Sequence, residues 1–169
     1  MLIAIIADTH LPRGSRRLPE DCVRRIAGSD LVLHAGDVAT VEVLRELEAI
    51  GPPLAAVHGN VDSAELRRLL PAERVVEAGG ARIGLVHDAG PRSGRLERMR
   101  RRFGGRARAV VFGHSHLPLH ERAGDGFQIF NPGSPTERRR APAHTMGIGR
   151  VDGGELTLEL VEVGPGAAR

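Results

Sequence analysis

Five times along this chain an apolar run ends in a short polar cluster rich in metal-ligand side chains. No other feature narrows the possible folds as much. The runs cover residues 2–7, 31–33, 54–57, 83–86 and 109–112. The clusters beyond them are Asp8-Thr9-His10, Gly36-Asp37, Gly59-Asn60, His87 and Gly113-His114-Ser115-His116. An open α/β sheet gathers its active site beyond the carboxyl ends of its strands, so the five clusters belong at one end of such a sheet.

Between the runs the pattern predicts helices near 19–28, 40–50, 63–69 and 92–103, with adjacent strands at 73–78 and 81–86 turning at Gly79-Gly80. After residue 116 it changes to short strands near 118–122, 127–130, 144–151 and 155–162, punctuated by Asp125-Gly126 and Gly153-Gly154. A parallel first half and an antiparallel second half imply two packed sheets flanked by helices. The chain has 169 residues, enough for one domain with a proper core. That domain is expected over 1–163, with a disordered tail over 164–169.

The clusters contribute two Asp, one Asn and four His, with no thiolate. A mixed oxygen and nitrogen set suits Mn²⁺, Fe²⁺ or Zn²⁺ and argues against copper(I) or iron–sulfur chemistry. Seven ligands exceed one tetrahedral ion but suit two ions sharing a carboxylate. Ions about 3.5–4 Å apart clamp the attacking and leaving oxygens of a displacement at phosphorus. The chemistry therefore points to phosphoester hydrolysis.

The ordered set DTH, GD, GN, H and GHSH resembles the calcineurin-like metallophosphoesterase superfamily, whose pattern is D-x-H, G-D, G-N-H-[DE], H and G-H-x-H. The short length, the variant GNVD at 59–62 and the NPGS at 131–134 resemble its small single-domain YfcE-like phosphodiesterase branch. The resemblance spans about residues 1–160. It implies a four-layer αββα sandwich: an α/β fold of two packed mixed β-sheets flanked by helices. It also implies a metal set in which Asp8, His10 and His116 hold one ion, Asn60, His87 and His114 hold the second, and Asp37 bridges both. Two divalent ions are expected, Mn²⁺ first, with Zn²⁺, Fe²⁺, Ni²⁺ or Mg²⁺ as alternatives. Two departures stand out. Asp88 follows His87 where relatives usually have Gly, and Val61 stands where many larger relatives carry a His thought to protonate the leaving group. Relatives in the small branch also lack that His.

The function this implies is a phosphodiesterase in which a hydroxide held between the ions attacks phosphorus. Asp37, Asn60 and His114 would act catalytically through metal and phosphate positioning, with no side-chain nucleophile. The substrate is a small phosphodiester or other phosphoester. Two alternatives share the fold: a catalytically weak protein-binding scaffold, as in the retromer subunit of eukaryotes, and a nuclease. The resemblance also allows a homodimer.

Other residues read more plainly. Asp62 with Glu65 spells a capping box opening the helix at 63–69. His34 and His58 read as core or rim histidines, with a role in orienting ligands as the alternative. The NPGS turn reads as backbone geometry, Arg138–Arg140 as a solvated loop near an anionic substrate, and the arginines from 92 to 108 as a solvated helix face without the stacking aromatics of a nucleic-acid site. Every basic side chain is arginine, so the sequence pI near 10.6 with a net charge of only +3 is a weak argument for a nucleic-acid partner. No run approaches a membrane span. Residues 2–7 are too short for a signal peptide. Cys22, the single cysteine, forms no intramolecular disulfide and reads as a small buried hydrophobe. A cytoplasmic location is the expectation.

Overall fold

A computed structural model describes residues 1–12 and 16–164. Among the described residues ten strands form two sheets. The first has the order β10-β9-β1-β2-β3, where β1 is Leu2–Ile6, β2 Leu31–His34, β3 Leu54–Ala56, β9 His144–Asp152 and β10 Glu155–Val163. The second has the order β4-β5-β6-β8-β7, where β4 is Glu73–Ala78, β5 Ala81–Val86, β6 Ala109–Val111, β7 Leu119–Arg122 and β8 Gln128–Asn131. Four helices cover the outer faces: α1 (Glu20–Ala27), α2 (Val41–Glu48), α3 (Ala64–Leu69) and α4 (Arg95–Phe103).

The strand period of two explains the layering. Ile3 and Ile5 of β1 meet Leu33, Ile83, Leu85, Val111 and Phe130 between the sheets. Ala4 and Ile6 point the other way, against Cys22, Ile26, Leu44, Leu47 and Leu66 of the first three helices. Val110 and Ile129 of the second sheet likewise face Met99 and Phe103 of α4. With both faces of the central strands buried, they read in sequence as continuous apolar runs. The result is the expected αββα sandwich with two mixed sheets.

The split into a parallel half and an antiparallel half needs correction. β6 pairs parallel with both β5 and β8, so the parallel core of the second sheet runs through the later part of the chain. The closing hairpin β9–β10 returns to the first sheet, antiparallel to β1. Gly164, expected in a disordered tail, donates its N–H to Asp21 at 3.0 and 3.2 Å; residues 165–169 lie outside the described residues. Parallel pairing across β1-β2-β3 and β5-β6-β8 places the carboxyl ends of all six strands where the polar clusters begin.

Candidate metal centre

The loops leaving the strands are bonded to one another before any side chain is considered. Asp8 N–H donates to Gly36 O at 3.0 Å, His10 N–H to Asp37 O at 3.1 Å and Gly113 N–H to His87 O at 3.0 Å. Across the sheets, His114 N–H donates to Asp8 Oδ1 at 3.0 Å. The approach is so close that the motif glycines are obligatory. A Cβ on Gly36 would lie 2.6 Å from His87 Nδ1, and one on Gly59 would collide with Asp37 Oδ1.

Backbone conformation marks the same residues. Seven non-glycine residues among those described have positive φ, and five of them are Asp8, His10, Asp37, His114 and His116, with φ between 47 and 69°. Left-handed backbone is disfavoured for side chains with a Cβ and persists where the surroundings enforce it, typically at functional sites. Asn60 lies outside that set and is not left-handed, although an Asn following a Gly often is.

The side chains converge. Ligand atoms of Asp8, His10 and His116 lie within 4.8 Å of one another, as do those of Asp8, Asp37 and His87. His10 Nε2 and His116 Nε2 are 3.1 Å apart. Two nitrogens each about 2.05 Å from one ion at 90–109° would be about 2.9–3.3 Å apart. Asp37 Oδ2 sits between the groups, 3.5 Å from His10 Nε2 and 3.3 Å from His87 Nε2. Asn60 Oδ1 lies 3.0 Å from His87 Nε2 and 2.8 Å from His114 Nδ1. All seven sequence-selected residues thus meet at one place.

Their neighbours aim them. His87 Nδ1–H donates to Ala35 O at 2.9 Å and His116 Nδ1–H to Glu137 O at 2.5 Å, which turns both Nε2 atoms inward. Asp37 Oδ1 is held by Val61 N–H at 3.0 Å. Asp8 Oδ2 is buried without a hydrogen-bond partner among the described residues. A buried carboxylate oxygen normally has a partner, and a cation supplies one. The donor set, its spacing and this orphaned oxygen all fit divalent ions.

Electrostatics agree. Burial lifts the Asp8 carboxyl to about 7, although the His87 charge pulls the other way. Burial also pushes Asp37 up, but its hydrogen bond to His87, the charges of His87 and His10 and the Val61 N–H prevail and hold it at about 2. For His87 burial opposes the imidazolium, yet Asp37 and Asp8 raise its pKa above the usual histidine value. Burial drives His116 down to about 4 and lowers His10. Without ions, then, protons on Asp8 and His87 balance a pocket built for positive charge.

Five supporting residues were misread or missed in the sequence. Asp62 is not a cap: Ser63 caps α3, its hydroxyl accepting from Leu66 N–H. The buried Asp62 carboxylate instead accepts N–H bonds from Gly59 at 2.6 Å, Ala39 at 2.6 Å and Asp37 at 3.2 Å. His34, driven by burial to about 3, accepts from Gly36 N–H at Nδ1 and therefore donates Nε2–H to Thr9 Oγ1. In the NPGS turn, Asn131 Nδ2 donates to Gly113 O at 2.9 Å and Ser134 Oγ to Asp8 O at 2.8 Å. Thr136 Oγ1 donates to Thr9 O at 2.6 Å. The Asx turn of Asn131 onto Gly133 N–H, followed by Ser and Thr, was the available signal. Asp88 is exposed and closes its own turn onto Gly90 N–H, leaving His87 undisturbed.

Most arginines of α4, and Arg106 just beyond it, are committed to partners, while Arg101 is exposed. Arg98 and Arg95 cap carbonyls of residues 89 and 90, Arg100 pairs with Asp125, and Arg102 and Arg106 pair with Glu73. Cys22 is buried, as expected, and burial raises its thiol to about 12.

A carboxylate and imidazole cluster at the strand ends of an αββα sandwich defines a class, the metal-dependent phosphoesterases. Residues 1–154 match the calcineurin-like phosphoesterase superfamily domain. A probable metallophosphoesterase of Methanothermobacter thermautotrophicus is 33% identical over 172 residues, covering 100% of this chain and 96% of that protein. Vps29 of Chaetomium thermophilum has the same fold, with a TM-score of 0.80 at 22% identity, covering 96% of this chain and 88% of that one. So does an archaeal phosphodiesterase, with a TM-score of 0.71 at 22% identity, covering 95% and 100%. The chain belongs to the calcineurin-like phosphoesterase superfamily, whose members use divalent metals. No helix among the described residues is long and apolar enough to cross a membrane.

Proposed function

We propose that this protein is a dinuclear metal-dependent phosphodiesterase acting on small phosphoesters. The observation that carries the reading is the gathering of seven ligand-type side chains at one place, where Asp8 keeps a buried carboxylate oxygen with no hydrogen-bond partner among the described residues. Asp8, His10 and His116 would hold one ion, Asn60, His87 and His114 the other, with Asp37 shared, and Mn²⁺ is the first choice for this oxygen and nitrogen set. Bound divalent ions supply charge neutralisation at phosphorus and acidify water.

The chain's own part is orientation. Asp37 is fixed by Val61 N–H and Asp62, and Asn60 and His114 form the exposed wall over which a phosphoester approaches. Thr9 and Ser134 hydroxyls are held in buried backbone hydrogen bonds and Cys22 is a buried residue of α1, so none of the three competes as nucleophile. Position 61 offers no acid, so turnover favours substrates with acidic leaving groups, since general-acid help is worth about 10²–10⁴-fold. The single buried cysteine accords with a cytoplasmic setting.

The test is release of p-nitrophenol from bis(p-nitrophenyl) phosphate by metal-stripped protein, with and without Mn²⁺, beside Asp37→Asn. Metal-dependent turnover lost in the variant is expected. A folded protein inert with every divalent ion would refute the enzyme and favour the protein-binding scaffold.

A further inference from the structure

The metal centre has one open side. Asp8, His10, Asp37, His87 and His116 are buried, whereas Asn60 and His114 are exposed. Three guanidinium groups stand near this pocket, and they differ in what they already bind. Arg16 is taken by Glu137 at 3.3 Å. Arg67 donates to the carbonyl of Asn60. Arg139 reaches over His114, with Nη1 3.4 Å from its carbonyl oxygen, and has no carboxylate partner among the described residues.

Two further observations single out Arg139. Its backbone is left-handed, with φ of 48°, a conformation otherwise found at the candidate ligands and Ala39 among non-glycine residues described. Its positive charge also bears on Asp8, His10 and His116, deep in the pocket. Arg138 beside it is spent on the Ala141 carbonyl, and Arg140 is exposed. Arg139, itself exposed, is thus the loop guanidinium that lies against the open wall, held there by the long 3.4 Å contact to the His114 carbonyl and by no carboxylate among the described residues.

We propose that Arg139 binds a phosphoryl oxygen of the substrate over the Asn60–His114 wall, supplying fixed positive charge where position 61 supplies no acid. This rests on the phosphoesterase reading. A guanidinium stays charged at all working pH values and matches phosphoryl oxygens with its planar fork. It neutralises charge without donating a proton, so its effect is independent of pH.

The experiment compares wild type, Arg139→Ala, Arg139→Lys and the same-loop control Arg140→Ala at matched Mn²⁺ content, measured by elemental analysis. Two readouts are taken: bis(p-nitrophenyl) phosphate kinetics across pH, and calorimetric binding of inorganic phosphate to the Mn²⁺-loaded protein. Loss of a charge-assisted contact predicts a fall of about 10–100-fold in kcat/KM for Arg139→Ala. The same factor is expected at each pH, with a matching loss of phosphate affinity, partial recovery in Arg139→Lys or with added guanidinium, and no change in Arg140→Ala. Unchanged phosphate affinity in Arg139→Ala overturns the proposal, as does loss of bound metal in that variant, which would make Arg139 a support for His114. A wild type without turnover would defeat the phosphoesterase reading alone, leaving phosphate binding to decide on Arg139.

Discussion

Replacing Asp62 with alanine should be among the most damaging single changes in this protein, although Asp62 is neither a candidate ligand nor a helix cap. Its carboxylate collects N–H groups from two loops: Gly59, Ala39 and Asp37. A hydrogen bond to a charged group is worth about 1.5–3 kcal/mol, and an abandoned buried donor costs a comparable amount. Three bonds sharing one acceptor group are not additive, so we expect a loss of about 3–5 kcal/mol for Asp62→Ala. For a chain of this size each kcal/mol lowers Tm by about 2–4 °C, giving a fall of about 6–20 °C. Asp62→Asn can keep an oxygen on Gly59 and Asp37 but turns an NH₂ toward Ala39 N–H, which costs about 1.5–3 kcal/mol. The reference is Ser63→Ala, whose lost cap costs about 1 kcal/mol. Thermal unfolding of the metal-free proteins, followed by circular dichroism, gives the ranking directly. If Asp62→Ala melts within 3 °C of wild type, or Ser63→Ala proves the worse variant, the carboxylate is not what joins the loops.

Three further outcomes follow. Val61→His should raise turnover of substrates with poor leaving groups by about tenfold or more, because position 61 is exposed and contributes only its N–H to Asp37; equal rates on phenyl and p-nitrophenyl esters before and after the change would refute this. Metal uptake should release protons and weaken as pH falls through about 7, since Asp8 holds a proton below its raised pKa and His87 is favoured as imidazolium; Mn²⁺ calorimetry in buffers of different ionisation heat would show more protons released at pH 6 than at pH 8, and none at pH 6 would contradict it. Ser134→Ala should cost about 1–3 kcal/mol, because its hydroxyl donates to Asp8 O and accepts from Glu137 N–H; a Tm within 1 °C of wild type would count against the brace.

The positions of the strands and of the seven candidate ligands were legible because buried parallel strands leave unbroken apolar runs, and each run here stops at a polar cluster. What was illegible shares one physical cause. Asp62 reaches Asp37 and Ala39, and Asn131, Ser134 and Thr136 likewise act on backbone groups far away in the chain, and no local period records such bonds. Asp62–Glu65 even has the spacing of a capping box, while the neighbouring Ser63 is the residue that caps. The pairing of β8 with β6 escaped for the opposite reason: β7 and β8 form a local hairpin that reads as antiparallel, and nothing nearby announces that β8 also lies parallel to a strand 19 residues earlier in register.

The candidate ligands are divided between the two sheets: Asp8, His10, Asp37 and Asn60 follow strands of the first, and His87, His114 and His116 follow strands of the second. Over most of their area the sheets meet through apolar side chains such as Ile5, Leu85 and Phe130, whose attraction is non-directional. At the ligand end the joint is of another kind. Ions there would fasten one sheet to the other like a clasp across a seam, so chelation would loosen the two halves of the sandwich against shear while leaving each sheet's own hydrogen bonds intact.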